Sequence, residues 1–310
     1  MIAAQVVQSD PKIYWGEDMM RLPARLLPVL LLGAAPPPLA TVPIGAFRTW
    51  GIHPGVPLSF VAGGLTVKVE ATPCEVPAKN EGCSFNGISN QAIVSVSRPG
   101  LPPFHMTSDS QASFVRVAVV RLAAGRGHAG LVVDNQWGGS GGFTAVTLIE
   151  PSVSGFHAVP LQYRGSAALI GEVSVFSRSL SRDSQPGFVL EAPGFNFSGE
   201  CNACTRGVPL VLTIRDGRSV DVSDDPAVRP LFAHDLPAHR RICVSNVKER
   251  NGSCAAFVAD AARLGQAPSA WHVMLSHYRH EPAGYPAALR SFLVTWGYIT
   301  PADARALPLA

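Results

Sequence analysis

Over most of its middle the chain alternates apolar and polar residues with a period of two. In "LTVKVE", Leu65, Val67 and Val69 alternate with Thr66, Lys68 and Glu70. Successive side chains of a strand face opposite ways, so this is the pattern of a strand that buries one face. The stretches "QAIVSVSR", "SFVRVAVVRL", "AGLVVDNQW", "FTAVTLIEP", "ALIGEVSVF" and "LVLTI" repeat the theme between Gly, Pro, Asn and Ser clusters, with no helical period of useful length. From about Val42 to Ser223 the chain is therefore expected to form an antiparallel β domain, a sandwich or a rolled sheet. Within it "VLTIRDGRSVDVS" reads as a hairpin, because Asp216-Gly217 suits the positive φ angles of a type I′ turn. A second hairpin is expected at "NQWGGSGGFTAV".

Past Ser223 the period lengthens. Asp225 stands where an N-cap would, with Pro226 at the first helical position. "CAAFVADAARLG" reads as a helix capped by Ser253 and stopped at Gly265. Trp271, Met274, Leu275 and Tyr278 then fall on one helical face, as do Leu289, Phe292, Leu293 and Trp296. Short links between these segments imply antiparallel neighbours. The expected fold class is α+β and β-rich: an antiparallel β domain over 41–225, then a small helical module over 226–310.

The region before residue 41 reads differently. From Met19, "MMRLPARLLPVLLLGAAPPPLA" has a basic start at Arg21 and Arg25, an apolar run from Leu26 to Ala35, and a small residue, Ala40, suited to a cut. The run is about ten residues, whereas a bilayer crossing needs roughly 20, so no transmembrane span is expected in the mature chain. A signal peptide should begin close to its arginines, which makes Met19 or Met20 the expected start. Residues 1–40 are thus read as an upstream extension plus a signal peptide, and the mature protein as periplasmic or secreted.

Composition narrows the function classes. Apolar content of 47% supports a real core, and charged content of 15% is below the usual quarter. A net charge of +3, with no basic stripe interleaved with aromatics, argues against nucleic acid as a partner.

Six cysteines in an exported chain are read first as disulfides. They fall into local couples, Cys74 with Cys83, Cys201 with Cys204 and Cys243 with Cys254, although six allow 15 connectivities. If Cys243 pairs with Cys254, a helix through "HRRICV" must end soon after Cys243, or the two Cα atoms lie too far apart. Cys201 and Cys204 in "GECNACTRG" form a C-x-x-C, which elsewhere serves redox chemistry or zinc. The motif lies between two β segments, away from the helix N-terminus that would activate a thiol, and Glu200 beside it has no evident partner for acid-base work. Structural zinc would need a second couple, and His234 and His239 do not complete a finger spacing. A staple is the preferred reading.

Other candidates carry less. "GGSGG" has the G-x-S-x-G spacing of hydrolase nucleophiles, which makes Ser140 a candidate with His128 and Asp134 nearby. A strand follows instead of the helix that a nucleophile elbow requires, so a hairpin loop explains the glycines. In "HVMLSHYRH", His277 and His280 have a metal-compatible helical spacing and His272 does not; two polar histidines flanking an amphipathic helix is the simpler account. Asp221, Asp224 and Asp225 read as a cap and a solvated turn, lacking the alternating oxygens of a calcium loop. Trp137, Trp271 and Trp296 are expected in core packing.

The stretch "NFSGECNACTRGVPLVLTIRDGRSVDVSDDPAVRP", followed by "GSCAAFVADAARLGQAPSAWHVMLSHY", resembles a group of exported proteobacterial proteins of unknown function. Their β-hairpin of the "GR-x-VDVS-x-DP" type similarly leads into a Cys-containing helical segment, and "GGSGGFTAVTLIEP" is similar to their β region. The resemblance covers about the last two-thirds of the chain and implies export and architecture, with no catalytic residue carried over. The expectation is an exported, non-catalytic protein without a cofactor that binds an unknown protein or envelope component. The alternative is a secreted serine hydrolase using Ser140.

Overall fold

The computed structural model describes residues 38–51, 56–73, 88–109, 112–122, 128–137, 142–176, 178–180, 185–195, 207–245, 247, 250–280 and 283–309. Strict alternation builds the first of two sheets. It comprises β1 (Ala40–Thr41), β3 (Leu58–Ala62), β4 (Leu65–Pro73), β5 (Ile88–Arg98) and β6 (Leu101–Thr107), in that spatial order. All pairs are antiparallel except β1 with β3. Leu65, Val67 and Val69 are buried while Lys68 is exposed, as a one-faced strand requires.

The second sheet has nine strands: β2 (Arg48–Gly51), β7 (Ala112–Arg121), β8 (Ala129–Trp137), β9 (Phe143–Pro151), β10 (Phe156–Pro160), β11 (Leu169–Val175), β12 (Phe188–Glu191), β13 (Pro209–Arg215) and β14 (Arg218–Asp221). Their order is β14-β13-β12-β11-β9-β8-β7-β2, and β10 pairs with the far half of β9. The β13–β14 hairpin closes at Asp216 and Gly217, with φ of 50° and 71°, the two positive angles of a type I′ turn. β8 and β9 form the other expected hairpin, with Gln136 opposite Thr144.

Here alternation has a second meaning. Val115, Val117 and Val119 of β7 and Leu131 and Val133 of β8 pack with Phe60, Val67, Val94 and Val96 of the first sheet. The intervening Ala118, Val120 and Val132 point the other way, into a core shared with the helices. The protein therefore has three layers: five-stranded sheet, nine-stranded sheet, helices. The middle strands are buried on both faces, which is why β7 and β8 read as nearly continuous apolar runs.

Asp225 caps a short 3-10 turn, Pro226–Val228, accepting from the Ala227 N–H at 2.8 Å. Five helices follow: α1 (Arg229–Cys243), α2 (Arg250–Arg263), α3 (Ala267–Leu275), α4 (Tyr285–Thr295) and α5 (Pro301–Ala306). α1 ends at Cys243, which forms a disulfide with Cys254 of α2, the Cα atoms 4.5 Å apart. α2 starts three residues before the expected cap, so Ser253 is a buried residue inside it. Tertiary hydrogen bonds set that start: Asn251 Nδ2 donates to the Arg279 carbonyl at 3.2 Å, and Asn251 Oδ1 accepts from the Arg279 N–H at 2.7 Å. At its other end the Gln266 N–H reaches the Ala261 carbonyl and the Gly265 N–H the Ala262 carbonyl, the stop expected at Gly265.

Trp271, Met274, Leu289 and Leu293 are fully buried against Phe232, Val258 and the sheet, and Trp271 Nε1 donates to the Pro308 carbonyl at 2.8 Å. Contacts gather the described residues from Leu39 onward into one compact unit. Among the described residues no helix is long and apolar enough to cross a membrane.

A cleft at the His239–Asp260 pair

α1 places Asp235 and His239 four residues apart, hence on one face. That face looks into a cleft of about 210 Å³, whose other walls are Glu172 and Ser174 of β11, Val189, Leu190 and Glu191 of β12, and Gly207 and Pro209 at the start of β13. His239 is 3% exposed. Its Nδ1 lies 2.7 Å from Oδ2 of Asp260, a residue of α2 with no exposure at all. Oδ1 of Asp260 is buried without a hydrogen-bond partner among the described residues.

Burial, opposed by the hydrogen bond and charge of His239, pushes the Asp260 carboxyl up to about 6; Asp235 pushes in the same direction as burial. As a carboxylate Asp260 can only accept, so Nδ1 carries the N–H that donates to it. Nε2 makes no hydrogen bond to a described residue and is the nitrogen left for the cleft. The Cys243–Cys254 disulfide joins the same two helices one turn from His239 and nearly two turns from Asp260, which fixes the approach of the pair.

A second buried carboxylate, behind Glu172, is arranged differently. Asp134 of β8 has no exposure; Oδ1 accepts from Gln136 Nε2 at 2.7 Å and from the Thr144 hydroxyl, and Oδ2 pairs with Arg116 at 3.2 Å. Arg116 also pairs with Glu172 at 2.8 Å and lies over the Phe47 ring at 4.6 Å. Burial raises the Asp134 carboxyl above its ordinary range, while Thr144, Gln136 and Arg116 pull it down. A chain of charges thus runs from Asp134 through Arg116 to Glu172 at the cleft. Glu191 in turn accepts from the Gly207 N–H at 3.2 Å.

The residues singled out by sequence do not build this site. Ser140, Glu200, Cys74, Cys83, Cys201 and Cys204 lie outside the described residues. His277, in the turn just past α3, is bound to the Val273 carbonyl of that helix at 2.9 Å, and the His280 ring lies 4.5 Å from the Tyr278 ring. Among the described residues no three His, Cys, Asp or Glu side chains come together as a metal ion would need. Asp221 accepts from the Ser223 hydroxyl at 2.6 Å and Asp224 is exposed. Trp296 lies under the Arg164 guanidinium at 4.5 Å, and the Trp137 ring is 6.2 Å from that of Phe143. His234 pairs with Asp235 at 2.8 Å. His239 figured in the sequence only as a zinc partner for His234, and Asp260 did not figure. The available signal was Asp260 itself, one carboxylate within the otherwise small and apolar run "CAAFVADAA".

Fold and site define a β-rich α+β protein with a disulfide-clasped helical segment and a polar cleft where that segment meets the sheet. Residues 233–297, which include His239, Cys243, Cys254 and Asp260, match a family model described as the sll0997 C-terminal domain. Over 120 residues the chain is 31% identical to the "Probable thylakoid lumen protein sll0997" of Synechocystis, a match covering 29% of this chain and 34% of that protein. The chain thus spans about a third of the length of this curated relative. No solved structure matches.

Proposed function

We propose that the protein is an exported, non-catalytic binding protein of the periplasm or exterior, of the proteobacterial kind, and that the His239 cleft is its binding site. In this reading residues 1–40 comprise an upstream extension and a signal peptide, and the mature chain starts near Thr41. Export is supported by the lumenal compartment named for the relative and by the Cys243–Cys254 bridge, a bond that persists where thiols are oxidised. The observation that carries the binding reading is His239, almost wholly buried yet lining a cleft with one ring nitrogen unpartnered among the described residues. A histidine oriented by a buried aspartate is also a catalytic arrangement, and Ser174 lines the same cleft. No hydrogen bond joins Ser174 to His239, so this pair does not support the hydrolase reading.

Two measurements test the reading. Intact mass of the protein recovered from the periplasm of an expressing bacterium should show about forty residues removed. A thermal-shift screen of small molecules should find ligands that raise Tm in the wild type but not in His239→Ala, with no labelling by a fluorophosphonate probe. Labelling that disappears in Ser140→Ala or in Ser174→Ala would establish a hydrolase instead, and ligands that act equally on His239→Ala would move the binding site elsewhere.

A further inference from the structure

Resting on the reading of the cleft as the binding site, we infer that its ligand is a small organic cation, an alkylammonium or guanidinium compound with several N–H donors. The walls present acceptors and negative charge: Glu191, Asp235 and Nε2 of His239, with no lysine or arginine among the described lining residues. The guanidinium behind Glu172 belongs to Arg116, which already serves Asp134, and Asp235 has the exposed His234 ring at 2.8 Å, so Glu191, held by the Gly207 N–H, is the carboxylate of the cleft without a basic partner among the described residues. His239 is the second, independent indication. With Nδ1 held by Asp260, Nε2 is left without a partner among the described residues, and in the neutral ring it accepts from a hydrogen-bond donor or binds a metal ion.

Shape decides between those two. The acceptors stand on different walls, and among the described residues no three converge on a point as an ion would require. A volume of about 210 Å³ corresponds to roughly seven water molecules, which suits a ligand of several heavy atoms. Val189, Leu190 and Pro209 supply an apolar side against which a short carbon chain can lie. A cation with donors at one or both ends satisfies the acceptors and buries its methylenes. An anion would face Glu191 and Asp235 with no lysine or arginine among the described lining residues.

The test is titration calorimetry on the mature full chain at neutral pH and 150 mM NaCl, with putrescine, agmatine, inorganic phosphate and Zn²⁺ as separate probes. Putrescine or agmatine is expected to bind with one site per chain, weakened at least tenfold by Glu191→Gln, by Asp235→Asn and by His239→Ala. The first two exchanges keep size and fold, so they carry the test even if His239→Ala does not fold. Phosphate or Zn²⁺ binding that the cleft variants abolish, with neither cation bound, would overturn the ligand class while leaving the cleft as the binding site. Cation binding that all the folded variants retain unchanged would overturn both.

Discussion

Asp134 and Asp260 are both carboxylates with no solvent exposure, yet they are served very differently. Asp134 has a cation, an amide and a hydroxyl disposed over its two oxygens. Asp260 has one imidazole and one bare oxygen. A buried polar group costs least when every lone pair is used, so the first belongs to the framework. The second stays under-served, and its histidine is left with a nitrogen for something else. The contrast separates a carboxylate that holds the sheet together from one that leaves its partner side chain with an unused nitrogen at a cleft.

The largest effect expected is on the framework side. Asp134→Ala removes one partner of a buried ion pair and strands Gln136 and Thr144, costing about 3 to 5 kcal/mol in urea unfolding. If the loss were below 1 kcal/mol, the two carboxylates would not differ as described.

Next comes the pH response of Asp260. Its carboxyl rises from 3.8 to about 6 in the folded protein, so between those values the native chain holds more protons than the unfolded one. The unfolding free energy must then fall as pH rises through that window, by about 3 kcal/mol from this group, with the stabilising protonated form fully present only below it. The difference between wild-type and Asp260→Asn stability curves from pH 3.5 to 7 isolates this contribution. A flat difference curve would remove the strained carboxylate.

Breaking the disulfide by Cys243→Ser with Cys254→Ser should cost about 2 to 3 kcal/mol, because the bridge closes a short loop. Hydrogen exchange should rise in α1 and α2 and stay unchanged at β8, which locates the clasp on the His239 side of the contrast.

Gly171→Ala touches both regions and has the smallest expected cost, about 1 kcal/mol. Gly171 has φ of +83° and its carbonyl accepts from Gln136 Nε2 at 3.3 Å. An added Cβ would meet the Glu191 side chain at 3.1 Å, so unfolding and cleft affinity should move together in this one variant.

The alternating stretches were legible because each residue type reports its own face: Leu65, Val67 and Val69 inward, Lys68 outward. β7 and β8 read correctly as strands, but that they serve two cores was hidden, since a run such as "VAVV" has no polar face to mark a side. β6, "LPPFHMT", escaped because its prolines argue against a strand interior and are tolerated here at the sheet edge. α5 was passed over despite its capping box of Thr300 and Asp303. The cleft was illegible for a topological reason. Its walls come from 172–174, 189–191, 207–209 and 235–239, and His239 and Asp260 are brought together only by the antiparallel return of α2 on α1.

The shared middle sheet limits how this protein can be cut. The family-matched span, 233–297, begins inside α1, one residue after Phe232, and omits every strand of the core that Val258 and Trp271 belong to. Expressed by itself it would display a broad oily surface and lose the β11 to β13 side of the cleft. Its relatives should therefore carry a strand-bearing companion segment, in the same polypeptide or in a bound subunit, wherever the helices are found folded.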